Sequence, residues 1–242
     1  MNSVHFVLQG KGGVGKTLIS SILYQYLSDK NINISGIDTD PVNSTFSGYK
    51  KLNIRKINIL DGDRVDHCKF DALVEIILNK SGDDHVVVDN GASSFISLCS
   101  YIKENAVVEL LSSNGIGVNF HSVITGGQAI GDTASGLGFL AMTFPDVDIV
   151  VWLNKFFGEI TTSDKKTFSE FNVYKDNVDR IKSIVAIPLF HRDTFGKDLE
   201  ELFSRRETFA AAIASSLPVM TRQRLKMFWT AMQAELDKAQ LI

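Results

Sequence analysis

Disulfide pairs, membrane-length apolar runs and a charge of one dominant sign are all missing from this chain. Its 242 residues include only two cysteines, Cys68 and Cys99, without the close spacing that marks a zinc or redox pair. The five histidines are scattered along the sequence. The four prolines stand singly, at Pro41, Pro145, Pro188 and Pro218, so no proline-rich linker divides the chain, and neither a repeat nor a low-complexity tract is visible. No segment offers the roughly 20 consecutive apolar residues that a membrane span needs. The one apolar run near the start, Val4 to Leu8, has neither a basic leader nor a cleavage-site pattern. Together these absences predict a chain without a disulfide scaffold or a membrane span, at work in a reducing cytoplasm.

The formal charge of −3 gives no global attraction to nucleic acid or an anionic membrane, so any such contact has to come from a local patch. Hydrophobic residues make up 44% and charged residues 22%, which is ordinary globular usage. Short β-branched runs alternate with longer helical stretches. Val4 to Leu8, Ile34 to Ile37, Val86 to Val88, Val118 to Ile124, Ile149 to Leu153 and Ser183 to Ile187 read as strands. Helices are expected near Lys16 to Ser28, Phe70 to Asn79, Asn105 to Ser112, Gln128 to Thr143, Asp164 to Arg180 and Leu199 to Ser215. The alternation predicts an α/β fold with a doubly wound, mostly parallel sheet and helices on both faces. One domain is expected over 1–242. It ends in an amphipathic helix at about 219–240 that carries Leu225, Phe228, Met232 and Leu236 at helical spacing, with Arg222, Arg224 and Lys226 clustered near its start.

Gly10-Lys11-Gly12-Gly13-Val14-Gly15-Lys16-Thr17 matches the G-x-x-x-x-G-K-[ST] phosphate loop, and it stands between an expected strand and an expected helix, with Leu18 next. Glycine at 12, 13 and 15 lets the backbone turn its N–H groups around phosphate oxygens, and the helix N-terminus adds partial positive charge. In such a loop Lys16 reaches the β- and γ-phosphates, and the Thr17 hydroxyl binds magnesium. Val86-Val87-Val88-Asp89 is a buried strand that ends in an acid, the general form of a second magnesium-side aspartate. Asp38 and Asp40 follow the second strand, and a doubly wound sheet presents that end to its ligand.

Lys11, directly after the first glycine, is not required by the basic phosphate cradle. It resembles the signature lysine of the MinD/ParA-type ATPases. That resemblance implies a homodimer sandwiching two ATP molecules, with Lys11 contacting the nucleotide of the facing subunit. It further implies that Asp38 supports the magnesium shell and that Asp40 positions or activates the attacking water. Asn154 would read the adenine edge, and Ile187-Pro188-Leu189, with Pro188 at its centre, would pack against the base. More narrowly, Val7 to Gly10, Asp38 to Asn43, Asp89 to Phe95, Thr125 to Ala129, Val150 to Asn154 and Met220 to Lys226 resemble the conjugal-transfer ATPases called TraL. This implies an ATP-hydrolysing switch in bacterial plasmid transfer, in the cytoplasm, with a conjugation or plasmid-processing protein as partner.

Two other readings use the same motifs. One is a nucleotide-dependent module whose terminal basic residues bind DNA or touch a membrane peripherally, and the other is a small-molecule kinase or ligase of the same fold. An iron–sulfur reductase is disfavoured, because a cluster shared across a dimer needs two cysteines beyond Asp89 and only Cys99 lies there.

Overall fold

The computed structural model describes residues 2–80 and 82–241. In chain order the strands are β1 (Ser3–Val7), β2 (Ile34–Asp38), β3 (Ile54–Lys56), β4 (Leu60–Asp61), β5 (Arg64–Val65), β6 (His85–Asp89), β7 (Gly117–Thr125), β8 (Asp148–Asn154) and β9 (Ile181–Ala186). The α-helices are α1 (Lys16–Asp29), α2 (Asp71–Leu78), α3 (Phe95–Glu104), α4 (Val107–Ser113), α5 (Ile130–Thr143), α6 (Asn172–Lys175), α7 (Lys197–Ser204), α8 (Phe209–Ala214) and α9 (Val219–Lys238). Seven strands form one sheet in the order β3-β2-β6-β1-β7-β8-β9, and every adjacent pair is parallel.

Alternation along the strands sends Val4, Phe6 and Leu8 into a core shared with α2 to α5, through Leu73, Leu98, Leu111 and Leu140. Val7, Val87 and Trp152 face the opposite core, closed by α1, α8 and α9 through Ile22, Phe209 and Met232. Both faces of the sheet are therefore covered, as parallel strands require, and the expected doubly wound α/β class holds. The crossover from β1 through α1 places the phosphate loop at the carboxyl edge. Asp38 and Asp89 pair there in register at the ends of β2 and β6.

Several expected elements differ. Asp164 to Arg180 is not one helix. Lys165 adopts φ 62°, the chain turns back so that Thr161 bridges Thr167 antiparallel, and only the single turn α6 is α-helical. Phe168, Phe171 and Tyr174 mimic helical spacing because all three pack on the same core. Leu199 to Ser215 is interrupted where Arg206 takes φ 53°, and Thr208 caps α8 by accepting the Ala211 N–H at 3.3 Å. Helix α3, the short edge strand β3 and the β4–β5 hairpin were not expected. The hairpin turns at Gly62, φ 57°. In the expected basic cluster, Arg222 Nε donates to Leu217 O at 3.1 Å and Arg224 is paired with Asp198, which leaves Lys226 exposed. Among the described residues, no helix is long and apolar enough to cross a membrane.

Three of the scattered histidines meet inside the sheet. Trp152 Nε1 donates to His121 Nδ1 at 2.9 Å. His121 Nε2 lies 3.0 Å from His5 Nδ1, and His5 Nε2 lies 3.0 Å from His85 Nδ1. An indole N–H can only donate, so His121 Nδ1 is an acceptor and its proton sits on Nε2. The same step then fixes Nε2–H on His5 and on His85. One tryptophan thus sets three tautomers across four strands. Burial holds all three imidazoles below their usual titration range, His121 at about 3, so the ladder is neutral.

Candidate nucleotide-binding site

The loop after β1 is shaped by two left-handed glycines, Gly13 at φ 74° and Gly15 at φ 104°, a region closed to most residues with a Cβ. A Cβ on Gly15 would also lie 2.9 Å from Asn154 Nδ2. Beneath the loop, buried Gln9 donates Nε2 to Val123 O at 3.1 Å and to Thr133 O at 3.0 Å, tying the loop root to β7 and α5. Gly136 makes room for it, since a Cβ there would sit 2.0 Å from Gln9 Oε1. Helix α1 begins with no side-chain cap and no acid in its first turn. Its N-terminal dipole and orphan N–H groups therefore stay available for an anion.

Lys16 is 8% exposed, and its Nζ donates to Lys11 O at 2.9 Å. Burial lowers its pKa, while Asp89 and Asp40 act to raise it. In front lies a cavity of about 520 Å³ bounded by Gly12, Lys16, Thr17, Asp40, Thr45 and Ala92. It brings the loop, the β2 end and the β6 end together as the sequence predicts.

Asp89 is 1% exposed. Its Oδ2 accepts from Thr17 Oγ1 at 2.7 Å and its Oδ1 from Ser20 Oγ at 2.8 Å. Burial pushes its pKa up to about 7 against the pull of both hydroxyls, with Asp38 adding to the rise and Lys16 opposing it. Ser20 was not singled out in the sequence, although it lies one turn beyond Thr17 on the same helix face. Asp38 is fully buried and accepts from Ser47 N at 2.8 Å and Asp40 N at 3.1 Å. Burial also raises its pKa. Asp40 Oδ1 accepts from Val42 N at 2.9 Å and Asn43 N at 3.0 Å.

These hard oxygen donors, with buried Asp89 bonded to the Thr17 hydroxyl, suit a magnesium ion, which takes one or two protein ligands and completes its shell with phosphate and water. Among the described residues, no group of three His, Cys, Asp or Glu side chains is placed to cage an ion by itself.

Lys11 is exposed and forms an ion pair with Asp132 at the start of α5, Nζ to Oδ2 2.8 Å. On the other side of the loop, an apolar pocket of about 380 Å³ is lined by Gly15, Leu18, Asn154, Phe156, Pro188 and Phe190, among others. Asn154 Nδ2 donates to Val14 O at 3.0 Å and its Oδ1 accepts from Phe156 N at 3.1 Å, leaving one N–H and one lone pair. Arg192 lies over the Phe156 ring at 5.3 Å. Phe190 and Phe195 stack at 4.4 Å.

The family model described as the CobQ/CobB/MinD/ParA nucleotide binding domain matches residues 5–217. The chain belongs to this family. Two Escherichia coli proteins named TraL are each 46% identical to it over 244 residues, covering 100% of this chain and of each relative, so the chain is also a TraL-type member. Among solved structures, the MinD cell division protein of Aquifex aeolicus aligns with a TM-score of 0.52 at 16% identity, over 95% of this chain and 97% of that one. A plasmid partition protein of Borrelia burgdorferi bound to AMPPNP aligns with a TM-score of 0.50 at 16% identity, over 96% and 99%. At such identities the structural likeness speaks to fold. It agrees with the seven-stranded parallel sheet and with the phosphate loop at its carboxyl edge.

Proposed function

We propose that this family member is a magnesium-dependent ATPase that hydrolyses ATP to ADP and phosphate, closes into a homodimer around two ATP molecules, and serves as a switch in conjugative plasmid transfer in the bacterial cytoplasm. The observation that carries the reading is the 520 Å³ cavity, where the phosphate loop, Lys16, Thr17 and Asp40 converge, with buried Asp89 bonded to Thr17 and an apolar pocket on the other side of the loop. AMPPNP in the plasmid partition protein of like fold supports the nucleotide, and the TraL relatives support the setting.

The loop glycines and the α1 N-terminus bind the phosphate chain. Lys16 exchanges the Lys11 carbonyl for β- and γ-phosphate oxygens. Thr17 and Asp89 would hold magnesium, supported by Asp38, and the ion would supply positive charge beside the phosphoryl oxygens. Asp40 orients the attacking water. Asn154, with its spare N–H and lone pair, and Pro188 meet the base. Lys11 exchanges Asp132 for a phosphate of the facing subunit, so hydrolysis by a dilute monomer is slow.

Light-scattering mass after size exclusion, with magnesium and either ADP or ATP, tests this reading. Asp40→Ala is expected to dimerise only with ATP, and Lys11→Ala to stay monomeric. If no variant changes mass with nucleotide, Lys11 loses its role and the sandwich switch is wrong.

A further inference from the structure

Two segments that border the cavity come from different strands and share a buried junction. Thr39, fully buried, extends the β2–β6 ladder by donating its N–H to Asp89 O at 2.9 Å. Its hydroxyl lies 3.1 Å from Asp89 O and 3.1 Å from Asn90 Oδ1. Asn90, 1% exposed, also accepts from Ser94 Oγ at 2.9 Å and donates Nδ2 to Gly91 O at 3.0 Å, so its amide is anchored to the segment after β6. Gly91 then passes directly under Asp40. A Cβ there would lie 2.7 Å from Asp40 Oδ1, 2.8 Å from its Cγ and 3.1 Å from Pro41 Cδ. Gly91 is not among the glycines with positive φ, so the constraint at this position is steric and not conformational.

We propose that Thr39, Asn90 and Gly91 couple the two segments, so that the Asp40 carboxylate is positioned by the backbone after Asp89 and follows it when that backbone moves. The catalytic part of this inference rests on Asp40 as the residue that orients water; the coupling itself does not. All three are positioning residues. Thr39 ties the segments by a hydrogen bond, Asn90 fixes that bond to its own segment, and the bare Cα of Gly91 lets the carboxylate sit against the peptide plane. A phosphate-dependent shift of either segment is thereby transmitted to Asp40 without a long relay.

The test uses the full chain and two variants. Thr39→Val is nearly isosteric and orphans no acceptor, because Asp89 O keeps the residue-39 N–H and Asn90 Oδ1 keeps Ser94. Gly91→Ala adds one methyl against Asp40. Without nucleotide, both are expected to move the amide NMR signals of Val42 and Asn43, which report the Asp40 carboxylate, while Thr39→Ser leaves those signals in place. With ATP and magnesium chloride in single turnover, Thr39→Val is expected to slow hydrolysis about tenfold and Gly91→Ala about a hundredfold, since small misplacements of a reacting group cost rates of this order. ATP affinity should stay within about twofold, and Thr39→Ser should recover most of the rate. A purely structural role would instead lower affinity and melting temperature together. The coupling is overturned if the Val42 and Asn43 signals of Thr39→Val superimpose on those of the wild type. The positioning role is overturned if Thr39→Val hydrolyses ATP at the wild-type rate. Wild-type protein that binds but never hydrolyses ATP would remove the hydrolase reading, and the amide signals alone would then decide the coupling. Thr39→Val keeps the result decisive if Gly91→Ala fails to fold.

Discussion

The sheet carries two buried polar clusters on the same face, and they are built in opposite ways. At the carboxyl edge, Lys16 and Thr17 line an open cavity, buried Asp89 bonds to Thr17 with Asp38 paired beside it, and the Lys16 ammonium rests on a backbone carbonyl that another oxygen can replace. A few residues below, His85, His5, His121 and Trp152 form a closed ladder in which each interior donor has one acceptor. Burial acts on both. It raises Asp38 and Asp89 and lowers the three histidines. The difference lies in what happens to the strain. The ladder relieves it by staying neutral and satisfied, whereas the acid edge takes up a proton more readily than free carboxylates do and would give it up to a bound cation. Perturbed titration marks a site only where geometry leaves room for a ligand.

The sharpest way to break this comparison is Gly15→Ala. It forces a Cβ onto a left-handed position and against Asn154. Nucleotide affinity should fall by at least about 100-fold, roughly 2.7 kcal/mol, with little change in the melting temperature. A fluorescent-nucleotide titration checks it, and near-native affinity would mean that the loop reshapes freely. Trp152→Phe should do the reverse. It removes the donor that orders the ladder and should cost about 1–3 kcal/mol of stability, read by urea unfolding, while affinity stays within about twofold. Equal losses in both quantities would merge the two clusters into one.

Acid sharpens the contrast, because the clusters respond with opposite signs. Below about pH 6.5 the unfolded chain's imidazoles take up protons that the folded ladder refuses, so stability falls as pH falls. Asp89, at about 7 when folded against about 3.9 unfolded, binds a proton more tightly in the folded state between those values, so its contribution rises as pH falls. The two partly cancel in the wild type. Asp89→Asn removes one opposing group and should steepen the loss between pH 7 and 5 by up to about 1.4 kcal/mol per pH unit. Coincident slopes from urea midpoints would mean that Asp89 is already ionised in the folded protein. The smallest effect belongs to Asp132→Asn. Its exposed pair with Lys11 is worth less than about 1 kcal/mol, so releasing Lys11 should strengthen ATP-dependent dimerisation by no more than about fivefold. A weaker dimer would make Asp132 part of the interface and not a competitor for Lys11.

These contrasts also explain what the sequence made legible. The phosphate loop is one continuous string whose chemistry is local, and Asp38 and Asp89 end short β-branched runs that could only be strands. Both therefore appear where expected. The ladder was invisible because His5, His85 and His121 meet only through the registers of β6, β1 and β7, which are far apart in the chain. The Thr39–Asn90 junction hides for the same reason. The helix expected over Asp164 to Arg180 does not form as one piece, because Lys165 breaks it at φ 62° and gives no warning in its side chain, while Phe168, Phe171 and Tyr174 keep helical spacing. Helix α3 was a different failure, since Phe95, Leu98, Cys99 and Ile102 follow helical spacing openly and are buried accordingly.

The fit of Gln9 against Gly136 has a consequence for descent. The amide of one residue occupies the space that the other leaves by lacking a Cβ, with only 2.0 Å between them if a methyl were added. Neither position is free to drift alone: a side chain gained at 136 evicts Gln9, and the loop root then loses its ties to Val123 and Thr133. Among relatives the two positions should therefore change as a pair, glycine accompanying glutamine and a bulkier residue accompanying a shorter one, so that a count of joint substitutions would date when this support for the loop was acquired.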